Sequence, residues 1–237
     1  MKIAAQQPLY GNWVSVSMIK KVFLCALALS AACAALWAFA RGLFALKLAI
    51  SAAALFFAAC AVYFLRARRL FSPEGGDVQN QVVALVLSRA EWDGYGRALD
   101  IGCGGGALAI RLAKLYENAL VTGADLWGKG WDYSRELCEE NARLERVADR
   151  MDFVRASASK LPFAVGSFEL VVSNLTFHEV RDCKDKFECL GEALRVLKSG
   201  GRFVLQDLFL VRSFYGAPEK LVEAIEAMGA RGVVFED

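Results

Sequence analysis

The uneven distribution of charged and apolar residues constrains this chain more than any other feature of its sequence. Residues 1–73 contain eight basic residues and no acidic residue, whereas residues 74–237 contain 20 basic and 26 acidic residues. Apolar residues make up 56% of the chain, above the roughly 45–50% that is usual in soluble domains. This split predicts a membrane-facing end followed by a soluble domain. It argues against a disordered chain and against a basic nucleic-acid-binding domain, so no nucleic-acid partner is expected.

Two apolar runs account for the hydrophobic excess. Residues 22–40 and 48–65 carry no charged side chain, and each approaches the roughly 20 residues that cross a bilayer as a helix. The short link between them predicts a helical hairpin. We therefore expect an N-terminal cytoplasmic segment at residues 1–21, a transmembrane hairpin at 22–70 and a separate domain at 77–237.

Basic residues flanking the two runs predict the orientation of the hairpin. The larger basic clusters lie outside the hairpin: Lys20 and Lys21 precede the first run, and Arg66, Arg68 and Arg69 follow the second. The link between the runs contains two basic residues, Arg41 and Lys47. Because positive charge is retained on the cytoplasmic side, we expect a multi-pass protein of the cell membrane with both chain ends in the cytoplasm. The alternative is a cleaved signal peptide with the A-x-A pattern of Ala38–Ala40 as its cleavage site.

The number and spacing of the cysteine and histidine residues argue against a disulfide-stabilised protein and against a metal-binding protein. The seven cysteines show no C-x-x-C spacing, and His178 is the single histidine of the chain. The sequence therefore indicates neither a disulfide framework nor a metal site.

The second part of the chain alternates between strand-like and helix-like segments. This alternation predicts an α/β fold in which helices cover both faces of a mostly parallel sheet. The predicted strands are 97–102, 119–125, 151–155, 168–174, 202–209 and a last one beginning at 231, and the predicted helices are 77–92, 107–117, 133–147, 184–198 and 218–228.

A glycine-rich loop follows the first predicted strand. It reads D-I-G-C-G-G-G-A from Asp100 to Ala107, and glycines at this position allow a tight turn and close approach of a ligand. The loop also fits the loosened dinucleotide fingerprint G-x-G-x-x-A, so an NAD-dependent oxidoreductase is an alternative at this stage. Asp100 would repel a pyrophosphate and favours a cationic ligand. Asp125, at the end of the second strand, is placed to accept hydrogen bonds from a ribose.

The ordered motifs resemble those of one enzyme family. D-I-G-C-G-G-G, V-T-G-A-D, L-P-F, F-E-L-V-V-S-N and L-R-V-L-K-S-G-G-R-F-V resemble, in order and spacing, the class I S-adenosylmethionine-dependent methyltransferases of the type 11 kind. The resemblance covers about residues 77–236. It implies a Rossmann-like fold, S-adenosylmethionine as cofactor, and methyl transfer to an acceptor. The predicted membrane hairpin adds the expectation of a lipid-like acceptor at the cytoplasmic membrane face, with a small soluble molecule as the alternative acceptor. The alternative is a protein without catalytic activity, which is anchored in the membrane and serves as a cofactor-binding protein or as a scaffold.

The resemblance also implies roles for individual residues. Gly102 and Gly104 match the loop beneath the methionine part of the cofactor, and Asp100 matches the acid that orients this loop. Asp125 matches the acid that binds the ribose hydroxyls. The complete implied cofactor-binding set is Asp100, Gly102, Cys103, Gly104, Asp125, Leu126, Ser157, Ala158 and Asn174. Ser157 departs from the family, which usually has an aspartate there that accepts a hydrogen bond from the adenine amino group.

The candidate catalytic residues lie in the segment N-L-T-F-H-E-V, residues 174–180. Asn174 matches a position beside the sulfonium and its methyl group. His178 is either a structural histidine or a group that accepts a proton or orients the acceptor, and Glu179 and Asp207 could serve equally. In the insert at residues 127–133, Trp127 and Trp131 either pack on the sheet edge or line the pocket.

Overall fold

The computed structural model describes residues 7–128, 131 and 133–236. These residues form two compact units. One contains residues 11–81 and 131, and the other contains residues 7–10, 82–128 and 133–236.

The first unit is dominated by a hairpin of two long helices, α1 (Val16–Phe39) and α2 (Phe44–Phe71). α1 begins at Ser15, whose hydroxyl accepts a hydrogen bond from the Met18 N–H, which satisfies one free donor of the first turn. The two helices are longer than the apolar runs at 22–40 and 48–65. By length and composition, both are long enough and apolar enough to cross a membrane.

The second unit is built on a parallel sheet, which confirms the predicted α/β class. Its strands lie side by side in the order β3-β2-β1-β4-β5, and every neighbouring pair is parallel. The strands are β1 (Gly96–Ile101), β2 (Ala119–Asp125), β3 (Met151–Arg155), β4 (Phe168–Asn174) and β5 (Leu197–Gln206).

Helices cover the sheet on both faces, so that two separate hydrophobic cores form. Ala98 and Leu99 are neighbours in β1, and each belongs to a different core, because successive strand residues point to opposite faces. The same holds for Val171 and Val172 in β4. The remaining helices are α3 (Val78–Ser88), α4 (Ala107–Leu115), α5 (Arg135–Leu144), α6 (Lys186–Val196), α7 (Arg212–Tyr215) and α8 (Pro218–Ala227), with 3₁₀ turns at Ala148–Arg150 and Phe177–Glu179.

Two strand predictions were wrong in detail. The last strand, predicted from residue 231, does not form within the described residues 231–236, where Val233 and Phe235 instead pack against one of the cores. The strand predicted at 202–209 is β5, which begins at Leu197 because that residue already pairs with Phe168. The pairing then resumes at Arg202 after a register shift, so residues 198–201 form a bulge within the strand.

Candidate functional site

The glycine loop is fastened to the carboxyl end of β2. The Gly102 and Cys103 N–H groups both donate to the Ala124 carbonyl oxygen, at 2.7 and 3.2 Å. Gly102 has a φ of 74°, and a Cβ there would collide with the Thr176 side chain. Packing therefore requires a glycine at position 102.

Gly104 differs from Gly102 in what surrounds it. Its φ is 56°, but a Cβ there would lie 3.5 Å from the Tyr133 ring, which is an ordinary contact. The backbone conformation, and not crowding by the fold, therefore favours a glycine here. Among the described residues, the fold therefore leaves room for a Cβ at Gly104, in contrast to Gly102.

Asp125 holds the loop from the end of β2. One carboxylate oxygen accepts from the Gly104 N–H at 2.9 Å and the other accepts from the Trp127 N–H at 2.7 Å. The Trp127 indole N–H in turn donates to the Gly104 carbonyl oxygen at 3.0 Å. Because each carboxylate oxygen can accept a second hydrogen bond, Asp125 retains the capacity to bind a hydroxyl pair.

Asp100 lies beneath the loop and is only 1% exposed. Its carboxylate accepts a hydrogen bond from the Ala109 N–H at 3.0 Å, in the first turn of α4. Burial raises the pKa of Asp100 to about 8; the bond from Ala109 opposes this rise and the charge of Asp125 adds to it. Asp100 thus connects the end of β1 to the start of α4 and so fixes the path of the loop.

Cys103 faces the interior of the domain. The adjacent Cys138 thiol and burial raise the pKa of the Cys103 thiol well above its usual value. Cys138 also donates to the Gly104 carbonyl oxygen, at 3.1 Å. Both thiols therefore support the loop from below.

The segment after β3 contains an acidic partner that sequence reasoning missed. The Ser157 and Ser159 hydroxyls donate to the two carboxylate oxygens of Asp182, at 3.0 and 2.8 Å. The hydrogen bond from Ser157 is the largest of the effects that together lower the pKa of Asp182. The structure therefore brings a carboxylate to the position where serine departs from the family pattern. Beside it, Ala158 is buried and Leu126 is exposed.

Two amide side chains lie next to each other at the ends of β4 and β5. Asn174 and Gln206 are register partners. Their side-chain oxygens, Oδ1 and Oε1, are buried and have no hydrogen-bond partner among the residues that the structure describes. Gln206 was not singled out from the sequence, although its place at a strand end, one residue before Asp207, was the available signal. Buried acceptors without donors are costly, so this edge is suited to a ligand that donates hydrogen bonds.

His178 and Asp207 form a close pair beside these amides. His178 Nδ1 lies 2.5 Å from Asp207 Oδ1, and the Asp207 side chain is fully buried. The pKa of His178 is raised, mainly by this hydrogen bond, while burial of the ring acts in the opposite direction. Glu179 is more distant, since its Oε1 lies 3.8 Å from His178 Nε2.

The tryptophan-containing insert is described only in part. Trp127 packs against a hydrophobic core as well as bonding the loop. Trp131 is 42% exposed. Residues 129, 130 and 132 lie outside the described residues.

Part of the chain is similar to known methyltransferases. Residues 99–205 match the family model described as a methyltransferase domain. The chain is 36% identical, over 58% of its length and 47% of the relative's, to the 27-O-demethylrifamycin SV methyltransferase of Amycolatopsis mediterranei. It is 33% identical, over 55% of its length and 52% of the relative's, to a ubiquinone/menaquinone biosynthesis C-methyltransferase of Desulfotalea psychrophila. The chain thus spans about half the length of these relatives.

A solved structure shows the same fold. It is geranyl diphosphate C-methyltransferase from Streptomyces coelicolor, in complex with Mg²⁺, geranyl diphosphate and S-adenosylhomocysteine. The TM-score is 0.51 with 16% identity over 67% of each chain, so the likeness extends to the fold alone. The domain match, the relatives and the parallel sheet together support the class I S-adenosylmethionine-dependent methyltransferases as the family of the domain at residues 99–205.

Proposed function

We propose that this chain is a membrane-anchored S-adenosylmethionine-dependent methyltransferase that acts on a small-molecule or lipid-like acceptor at the cytoplasmic membrane face. One observation carries the proposal. The glycine loop is closed onto Asp125 by the Gly104 N–H at 2.9 Å, yet among the described residues a Cβ at Gly104 would meet only the Tyr133 ring, at an ordinary contact distance of 3.5 Å.

The residues at the carboxyl edge of the sheet fit this cofactor. S-adenosylmethionine, when bound, supplies a sulfonium-activated methyl group. Asp125 has free acceptor capacity for a ribose diol, and Gly104 permits close approach to the backbone. The buried, unpaired oxygens of Asn174 and Gln206 favour a neighbouring group that donates hydrogen bonds or carries positive charge.

The chain's own contribution is mainly alignment. The loop and Asp125 fix one end of the site, and Asn174 with Gln206 fixes the neighbouring strand ends. Holding two reactants in line removes most of the entropic cost of their encounter. We assign the removal of a proton from the acceptor to the pair of His178 and Asp207, which follow Asn174 and Gln206 in the chain.

The helical hairpin supports a location at the membrane. Only 6% of the residues in the most apolar stretch of each helix are buried, whereas the core helix of a soluble protein is mostly buried. Large apolar side chains such as Phe39 and Leu55 are 88% and 72% exposed, and a bilayer is the solvent that suits such a surface. The basic clusters before and after the hairpin favour cytoplasmic chain ends. The relative named for ubiquinone/menaquinone biosynthesis is in keeping with a lipid-like acceptor.

The test compares two glycine variants of the full chain in detergent. Gly104→Ala and Gly166→Ala both place a Cβ at positive φ, 56° and 65°, and in both cases the new Cβ makes only ordinary contacts. Both variants therefore carry a similar backbone strain of about 1–2 kcal/mol. Isothermal calorimetry with S-adenosylmethionine should show at least a tenfold loss of affinity for Gly104→Ala and near-normal affinity for Gly166→Ala.

Two outcomes contradict the proposal. One is an absence of binding by the wild-type chain. The other is equal affinity of the two variants, since this would place the ligand away from the glycine loop.

A further inference from the structure

The pairing between His178 and Asp207 fixes the chemistry of the imidazole ring. Asp207 Oδ2 accepts from the Phe177 and His178 N–H groups at 2.6 and 3.3 Å. Its other oxygen, Oδ1, accepts from the Leu208 N–H at 2.6 Å and faces His178 Nδ1. Three backbone donors thus hold the carboxylate in one orientation, directed at the ring.

A carboxylate facing Nδ1 selects the tautomer of the histidine. An ionised carboxylate only accepts hydrogen bonds, so Nδ1 carries a proton whether the ring is neutral or charged. In the neutral ring, Nε2 is then the atom with a free lone pair. Nε2 is 3.8 Å from Glu179 Oε1, beyond hydrogen-bond distance, and none of the described residues forms a hydrogen bond with it, while the His178 side chain is 16% exposed.

The groups around the dyad act on the charge of the histidine, and Tyr215 does not provide an alternative base. Lys186 lowers the pKa of His178 slightly, and Glu179 and Asp207 raise it. Tyr215 is buried beside Asp207, and its pKa is raised by burial and by that carboxylate, so its hydroxyl stays protonated. Phe214 lies against the imidazole with ring centroids 6.1 Å apart. His178 is therefore the group of this cluster whose charge changes near neutral pH.

We propose that the methyl acceptor is a hydroxyl compound, that His178 Nε2 removes its proton, and that Asp207 is the positioning residue that holds the base in the required tautomer. This inference rests on the proposed methyltransferase function. The hydroxyl proton passes to Nε2 as the oxygen lone pair forms a bond to the methyl carbon. The bond between methyl and sulfur breaks, and its electron pair stays on the sulfur.

A hydroxyl acceptor explains the dyad better than an amine acceptor does. A neutral amine already has a nucleophilic lone pair and needs no base, whereas a hydroxyl is a weak nucleophile until its proton leaves. A general base of this kind contributes about 10²- to 10⁴-fold to a rate. The dyad therefore favours an acceptor that must lose a proton, and of the two acceptors of this kind, a hydroxyl and an acidic carbon, we propose the hydroxyl.

The single histidine makes the tautomer directly measurable. In the full chain, in detergent and with ¹⁵N-labelled histidine, all imidazole signals belong to His178. We expect Nδ1 protonated and Nε2 unprotonated at high pH, with an apparent pKa above 6.5. Asp207→Asn should lower this pKa and move the proton to Nε2. The control Glu179→Gln removes an exposed charge that does not touch Nδ1, and should leave the tautomer unchanged.

A product assay tests the acceptor class. Membranes and soluble extract of expressing cells are supplied with methyl-labelled S-adenosylmethionine, and the product is treated with hydriodic acid, which releases O-methyl groups as volatile methyl iodide. We expect most of the label to be released. In the wild-type chain, the methylation rate should rise with pH through the pKa of His178. In Asp207→Asn, the rate should fall about 100-fold, and its rise with pH should occur at a lower pH than in the wild type.

The outcomes separate this inference from the proposed function. Two outcomes overturn the inference even if S-adenosylmethionine binds. One is a proton on Nε2 in the neutral ring of the wild-type chain, and the other is labelled product from which hydriodic acid releases no label. Failure of the wild-type chain to bind S-adenosylmethionine overturns the proposed function instead, whatever the tautomer. Because the tautomer is read in the wild-type chain, the test does not depend on the folding of any variant.

Discussion

At the scale of single residues, Asp100 shows how burial determines what a motif residue does. From the sequence, its carboxylate was expected to orient the loop and to favour a cationic ligand. The structure places it beneath the loop, 1% exposed, with the Ala109 N–H as its donor. The buried carboxyl is therefore predicted to be protonated over much of the neutral range.

The raised pKa of Asp100 makes a prediction about stability. Its folded-state pKa of about 8 exceeds its ordinary value of 3.8, so the folded chain binds an extra proton between these two limits. The contribution of Asp100 to stability is thus fully present below pH 3.8 and is lost as the pH rises towards 8, by at most about 1.4 kcal/mol per pH unit.

The variant Asp100→Asn removes this dependence, because an amide does not titrate. Thermal unfolding of the two full-length chains, followed by tryptophan fluorescence between pH 6 and 9, should show a steeper fall in Tm for the wild type. Parallel profiles would show that Asp100 is already ionised in the folded chain.

The contacts of Asp182 and Gln206 lay beyond sequence reasoning. Asp182 bonds Ser157 across 25 positions of the chain, and Asn174 meets Gln206 only because β4 and β5 pair in one register. By contrast, Asp125 and the glycine loop were located from the sequence, because a strand end followed by glycines is a local pattern. The role of each such residue as a ligand contact stays a prediction.

At the scale of secondary-structure elements, the short segment at residues 7–10, before α1, belongs to the unit that contains the parallel sheet. Asn141, on α5, accepts from the Leu9 N–H at 2.8 Å and donates to the Leu9 carbonyl oxygen at 2.9 Å. It also donates to the Gly105 carbonyl oxygen at 2.9 Å. One buried amide therefore joins the segment before α1 to the glycine loop.

Removing this amide should loosen both of its partners. Asn141→Ala deletes three hydrogen bonds and leaves buried backbone groups unpaired, a loss of about 1–3 kcal/mol for each group left unsatisfied. We expect faster hydrogen exchange at the Leu9 amide and weaker binding of S-adenosylmethionine. The control is Glu140→Ala on the same helix, which removes an exposed ion pair with Arg143 of little energetic value.

Unchanged protection of Leu9 in Asn141→Ala would show that other contacts hold the segment. Equal effects of Asn141→Ala and Glu140→Ala would indicate a general loss of α5 and not of this connection.

Most elements of the fold were predictable because each has its own periodicity. The strands from β1 to β4 and the helices between them lie close to their predicted ranges. The strand expected from residue 231 failed because an apolar run is equally suited to packing on a core, as Val233 and Phe235 do. Strand order was not predictable from local pattern, since it depends on contacts between distant segments.

At the scale of the whole molecule, amino-acid composition alone distinguished an apolar, acid-free first part of the chain from an acidic second part. The acid-free first part contains two exposed apolar helices, and the acidic second part contains the parallel sheet with its glycine loop. We propose that both parts serve one function, in which the membrane-held chain itself transfers methyl groups.

The most direct test uses membranes from cells that express the full chain. The membranes are washed with sodium carbonate, which removes peripheral proteins, and are then supplied with soluble extract and methyl-labelled S-adenosylmethionine. We expect a labelled product that depends on the wild-type chain and is strongly reduced with Gly104→Ala when S-adenosylmethionine is limiting. The product should lie in the organic phase if the acceptor is lipid-like. Activity that leaves with the wash, or label no higher than with Gly104→Ala, would contradict the proposal.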